Sequence, residues 1–269
     1  MADKISKHIS YKEATRSNTA LRRGIDNIPD VEEMENMKLI AEKVFEPLRK
    51  FVKGPIKINS FYRSPELNVA IGDSAGRKGT DADCNVAVGF AASQTLTSGG
   101  QNVAIGRSAM SAVTTGCNNV ALGLSALSAG TLVGCENIAI GSSTMDALTS
   151  GKHNVALGAG ALGAATDNMC NIAIGINSLA GSVNDADNNV AIGNTAMGGA
   201  DVSGFNNIAI GTTAMDALTS GACNIALGIN ALGASTTGCY NTAIGQGAIG
   251  TGDTTGHSNV AIGVNSLSA

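Results

Sequence analysis

From residue 68 onward the chain alternates by twos. In "NVAIG" at 102–106, Val103 and Ile105 stand two apart with Ala104 between them, and Gly106 closes the run. Period two bounded by turn formers predicts a short strand, and five residues between glycine-rich turns are too few for a helix. The motif N-[VIT]-A-[ILV]-G begins at Asn68, Asn85, Asn102, Asn119, Asn137, Asn154, Asn171, Asn189, Asn207, Asn224, Asn241 and Asn259, twelve copies spaced by 17 or 18 residues. A fuller unit, "NNIAIGTTAMDALTSGACN" at 206–224, adds a small-small-Ala-Met step and a Thr/Ser-Gly turn. Self-similarity at such a period marks stacked units that bury their faces only against neighbours. The predicted fold is an all-β parallel β-solenoid or β-roll of about twelve coils over residues 68–269. Each coil should carry two short strands and two turns, and at a strand spacing of about 4.8 Å the rod would be about 58 Å long.

Side-chain roles follow from the alternation. The larger apolar residues of a coil, such as Val155, Leu157 and Leu162, are assigned to the coil's own interior. The intervening alanine points the other way and is never charged, and a strand apolar on both faces tends to be covered on both. The alanine face is therefore predicted to pack several chains together. The asparagines are read as stacked hydrogen-bonded ladders. Threonine and serine positions such as Thr114-Thr115 and Thr236-Thr237 are read as turn formers.

The unit N-V-A-I-G-x-x-A-[ML] with T-x-G turns resembles the head repeats of trimeric autotransporter adhesins, and is similar to repeats in phage tail fibres and related virion proteins. The resemblance covers residues 68–269 and implies a parallel β-roll, usually trimeric, that holds or forms a surface-binding tip. Such adhesins need an export signal and a C-terminal membrane anchor. No basic segment followed by an apolar one opens the chain, and no anchor is seen, so virion use is the expectation.

Residues 1–67 are built differently. Asp30 precedes "VEEMENMKLIAEKVFEPLRKFV" with Glu33 three residues on, a capping pair for a helix that Pro47 should bend or interrupt. Ile56 and Ile58 in "PIKINSFYR" suggest a strand. "TRSNTALRRGIDNIPDVEEMENMKLIAEKVFEPLRK" followed by "GPIKINSFYRSPELNVAIG" resembles the N-terminal half of zinc D-alanyl-D-alanine carboxypeptidase-type endolysins, over about residues 8–72. In that family an S-x-H-x-x-G-x-A-x-D stretch follows and binds zinc; here Gly72 runs into "DSAGRKGTDADCNVAVG", with no such ligands. Arg63 matches the family's Y-R-S arginine but would have no metal-assisted reaction to serve. The reading is a truncated endolysin-like segment, residues 1–67, joined to the repeat through the shared "LNVAIG" and either a helical cap on the first coil or poorly ordered.

Composition sharpens the division. Of 17 basic residues 13 precede Asn68, against 10 of 21 acidic ones, so a cationic segment precedes an anionic repeat. Of 35 glycines 33 follow it. The formal net charge of −4 argues against a nucleic-acid partner, which needs a Lys/Arg surplus to neutralise phosphates. No run of about 18 apolar residues predicts a membrane span.

Candidate chemistry is sparse. A catalytic zinc needs about three converging ligands. The histidines are His8, His153 and His257, and the last two lie six coils apart in turns just before a repeat asparagine. They are read as solvated turn residues. Cys84, Cys170 and Cys223 stand one residue before a repeat asparagine, and Cys117, Cys135 and Cys239 stand two before. Cys117 and Cys135 occupy adjacent coils at matching phase, within disulfide reach, but free thiols are expected because no C-x-x-C or zinc-like spacing is present. No catalytic, cofactor or metal site is predicted. The expected function is a non-catalytic structural or receptor-binding virion protein, a homotrimer of tail-fibre or adhesin type with no cofactor. The alternatives are a monomeric ice- or carbohydrate-binding solenoid and a dead peptidoglycan-binding endolysin remnant.

Overall fold

The computed structural model describes residues 31–47, 69–72, 75–76, 84–128, 132–199, 201–250 and 255–268. Helix α1 spans Val31–Ile40 and widens into a π-helical turn, Ala41–Phe45, just ahead of Pro47. A proline crowds the carbonyl four residues earlier, and a widened turn is one way a helix meets that conflict. The other features read from residues 1–67, including the Ile56–Ile58 strand, Arg63 and His8, lie outside the described residues, as does Asn68.

The repeat forms twelve three-residue strands, β1 (Val69–Ile71), β2 (Val86–Val88), β3 (Val103–Ile105), β4 (Val120–Leu122), β5 (Ile138–Ile140), β6 (Val155–Leu157), β7 (Ile172–Ile174), β8 (Val190–Ile192), β9 (Ile208–Ile210), β10 (Ile225–Leu227), β11 (Thr242–Ile244) and β12 (Val260–Ile262). They make one sheet in chain order, parallel throughout, and every alanine is paired with the alanine one coil away. The fold is thus the parallel β-solenoid that the repeat implies. One difference is that each coil has a single strand, not two. The return side is irregular and is held to the next coil by isolated backbone bonds, such as Met110 N–H to Ala126 C=O at 2.9 Å and Ala164 N–H to Ala180 C=O at 3.1 Å. Its residues alternate into left-handed conformations (Ser108 φ 57°, Met110 φ 52°, Asn118 φ 55°), which is incompatible with strand geometry.

The two faces of the strand are reversed from the expected arrangement. The central alanines (Ala104, Ala121, Ala139, Ala156) point inward and are fully buried. The flanking valines, isoleucines and leucines point out of the coil. The interior is filled instead by the strand alanine, the Ala-Met or Ala-Leu step and a leucine or valine before the next turn, as with Ala109, Met110 and Val113. The cross-section of one coil is too thin to hold a β-branched pair as well. Asn and Gly share the alanine's parity in N-x-A-x-G, so they face inward with it.

The inward asparagines form a continuous ladder from Asn85 to Asn259. Each Oδ1 accepts the backbone N–H of the asparagine one coil on, as in Asn137 Oδ1 with Asn154 N at 3.1 Å. From Asn85 to Asn241 the Nδ2 reaches a carbonyl that closes the same coil, as in Asn102 Nδ2 to Gly116 O at 2.8 Å. A side chain buried at every level thereby satisfies backbone groups that the strand ladder leaves over.

One stretch departs from the repeat in a compensated way. A Cβ at Gly151 would lie 2.6 Å from Leu148 Cδ1, and one at Gly221 would lie 2.7 Å from Leu218 Cδ1. The next coil's backbone carbonyl, Asn168 O or Gly238 O, stands closer still to that Cβ, so a side chain at this position needs both a smaller neighbour than leucine and a small backbone shift. In the coil after that of Gly151 the leucine is Ala165 and the glycine is Asn168, fully buried; its Nδ2 donates to Ser182 Oγ at 2.7 Å, while its Oδ1 has no hydrogen-bond partner. Restoring the repeat with Ala165→Leu/Asn168→Gly should stabilise the fold by about 1–3 kcal/mol, because a buried orphan acceptor disappears. Ala165→Leu alone should destabilise, since both side chains would claim one space. Thermal unfolding of the single and double variants checks this, and a destabilised double variant would refute the compensation.

Candidate interaction face

The outward residues of the strands build two columns along the rod, one at the position after each asparagine and one two residues further. Neither column contains a charged residue, and Thr242 is the one polar side chain in them. The side chains are half-covered by their own neighbours: Ile105, Leu122, Ile140, Ile172, Ile210 and Ile244 are 37–39% exposed. Adjacent coils stand 4.7 Å apart, measured between the Cα atoms of Cys117 and Cys135. Parallel in-register pairing places like residues directly above one another, so the columns form an apolar strip interrupted at Thr242 alone.

A corner turn follows each strand. The Gly106 carbonyl accepts a bond from Ala109 N–H at 3.3 Å, and Ser108, third in the turn, has a positive φ. The second residue of this turn is exposed, and in some coils it is large and apolar: Phe90, Leu124, Ile176 and Ile229 are 49–54% exposed. Corner residues therefore border the strip on one side. The residues just before each asparagine border it on the other.

The remaining candidate residues fall at the strand-start edge. Cys117 and Cys135 are joined in a disulfide, where the sequence suggests free thiols. The stacking that puts them in phase also brings their Cα atoms within bonding range. Cys84 and Cys170 are exposed, and Cys223 and Cys239 are half-buried. His153 Nδ1 lies 2.9 Å from Glu136 Oε2 one coil below, with both side chains about half exposed. His257 Nδ1 accepts the Cys239 backbone N–H at 3.1 Å. Among the described residues no three His, Cys, Asp or Glu side chains group as metal ligands, and no helix is long and apolar enough to cross a membrane. Burial pushes the carboxyls of Asp146 and Asp216 up from their ordinary range. They occupy equivalent positions on the return side, far apart along the rod.

The threonine column is not a bare polar array. Thr97 Oγ1 donates to Thr114 O at 2.9 Å, Thr149 Oγ1 to Thr166 O at 3.0 Å, and Thr219 Oγ1 to Thr236 O at 2.9 Å. Val133, Val183 and Ser203 interrupt the column.

Reading the β-branched pair as interior hides the apolar strip at the level of sequence. The signal for the opposite assignment is present in the parity of Asn, Ala and Gly. No protein-family model matches the chain, and neither does any curated protein or solved structure.

Proposed function

We propose that this chain is a non-catalytic structural subunit that associates with copies of itself through the Val/Ile strip, as a homotrimeric fibre of the tail-fibre or adhesin-head kind carried on a virion. The observation that carries the reading is the strip itself: uncharged over twelve strands and only half-covered within one chain. Contiguous exposed apolar surface of this extent marks an association site. Three copies, and a surface-binding role for the assembly, are supported by the resemblance of the N-V-A-I-G unit to trimeric-adhesin heads and phage tail fibres.

The expected partner face is therefore Val/Ile, not alanine. The ice-binding alternative is disfavoured by threonine hydroxyls already committed to neighbouring carbonyls and by the interrupted column. Light scattering on the purified chain should give the mass of a trimer. The variant Ile140→Lys/Ile210→Lys places charge on the outer face without touching the coil interior, and should give a monomer with unchanged circular dichroism. A wild-type chain that is monomeric at micromolar concentration overturns the reading, and thermal hysteresis in that monomer would favour the ice-binding alternative.

A further inference from the structure

A repeating strip has a weakness as an interface. Shift one copy by one coil, 4.7 Å, and every valine and isoleucine meets another of its kind. A contact staggered in this way does not close into a ring; it propagates as an open helical filament. A closed assembly therefore needs positions that do not repeat, and these lie in the two columns that border the strip.

Those columns vary together. The large apolar corner residues Phe90, Ile176 and Ile229 fall in the coils whose pre-asparagine residue is Cys84, Cys170 or Cys223. No other coil has cysteine at that position. Most coils with a polar corner have a polar pre-asparagine residue too, as with Asn194 and Asn188, or Thr212 and Asn206. Four coils depart from the pattern: Leu124 is paired with Asn118, Val264 with Ser258, Ala159 with His153, and Asp73 with Leu67. Within one chain the two positions sit at opposite ends of a strand. A three-residue strand about 10 Å long lies between them, so they do not touch. Their correspondence is explained by contact between copies, in which the strand end of one chain meets the strand start of the next at the same level.

On the self-association reading above, we infer that neighbouring copies lie parallel with their coils level, each apolar corner residue seated against the small apolar cysteine of the next copy: Phe90 on Cys84, Ile176 on Cys170, Ile229 on Cys223. The second copy is the occupant that the dimensions favour. Twelve coils 4.7 Å apart, each with a three-residue strand about 10 Å long, give a strand face of roughly 560 Å² per copy. A stable interface needs about 800 Å² per partner, so the borders are needed to reach it. Cysteine suits the socket because it is small, apolar and has a single χ1 to fix.

The test is an engineered cross-link in the full chain, with Ile229→Cys. Under mild oxidation it should give covalent trimer on a non-reducing gel, because the introduced thiol then faces Cys223 of the neighbouring copy. Adding Cys223→Ser should abolish the band. Gln246→Cys, combined with Cys239→Ser to remove the thiol beside its own level's Tyr240, lies one coil higher than Cys223 and should give none; a band from it would reveal a one-coil stagger and overturn the level pairing. If light scattering shows a trimer but Ile229→Cys does not cross-link, the level pairing is wrong while self-association stands. If the chain is monomeric before any substitution, the self-association reading fails and takes this inference with it.

Discussion

Asn154→Ala should cost the fold about 3–5 kcal/mol, an unusually large loss for deleting one neutral side chain. Asn154 is fully buried and acts in both directions along the rod. Its Nδ2 donates to Asn168 O at 2.7 Å and to Asn137 Oδ1 at 3.0 Å, and its Oδ1 accepts from Asn171 N at 3.0 Å and Asn171 Nδ2 at 3.1 Å. After truncation Asn137 Oδ1 keeps the backbone N–H of residue 154, and Asn171 Nδ2 keeps Ala186 O. The Asn168 carbonyl loses its Asn154 donor and the Asn171 N–H its Asn154 acceptor, each inside a dry coil. An orphaned buried group costs about 1–3 kcal/mol, and the cavity adds to it. Urea unfolding measures the loss, and a cost below about 1 kcal/mol would mean that the ladder is incidental. Asn154→Asp sharpens the test. The carboxylate accepts from Asn171 N–H but presents its second oxygen to two acceptors. Burial and this repulsion raise its folded pKa above the unfolded value near 4, so the penalty is full at neutral pH. The penalty shrinks as pH falls through the folded pKa toward the unfolded one, where the acid is protonated in both states. Asn154→Asp should therefore regain stability in acid, and Asn154→Ala should not.

Much of this fold is legible in the sequence because a repeat averages out local ambiguity. One N-V-A-I-G could be many things; twelve at a spacing of 17 or 18 residues leave few topologies besides stacked parallel strands. What is not legible is the inside from the outside. Hydrophobicity alone assigns Ile138 and Ile140 to the core and leaves Ala139 as the weaker candidate. The thinness of the coil reverses this, since its strand has room for a methyl group but not for two branched side chains. The second strand per coil fails for a related reason. "SAMSA" and its equivalents carry no β-branched alternation, and their backbone uses left-handed residues to turn two corners in a short span. The disulfide is half-visible: matching phase puts Cys117 and Cys135 within reach, but reach does not decide bonding. Asn168 reads as a broken turn glycine until its side chain is seen in the space left by Ala165.

Gly141→Ala should be among the most damaging small substitutions in the rod. The glycine that ends each strand has φ between 121° and 143°, a region that L side chains rarely adopt. At Gly141, with φ 139°, a Cβ would also stand 2.6 Å from the Gly158 carbonyl oxygen and 2.7 Å from its carbon, both backbone atoms of the next coil. Thr144 Oγ1, at 2.7 Å, blocks retreat, because it is itself bonded to Gly158 O at 2.7 Å. Neither neighbour is the end of a flexible side chain, so relief requires separating two coils. Strain of about 1–3 kcal/mol from the dihedral and a similar overpacking term give about 4 kcal/mol or more in total. Gly263 separates the two contributions. Its φ is 121°, but a Cβ there meets nothing within 4 Å. Gly263→Ala should therefore carry the dihedral cost alone and lose about 1–3 kcal/mol. Hydrogen exchange on Gly141→Ala should show protection lost first in β5 and β6, because a solenoid coil answers only to its neighbours. Equal losses in the two variants would mean that the dihedral, not the contact between coils, fixes glycine at the end of every strand.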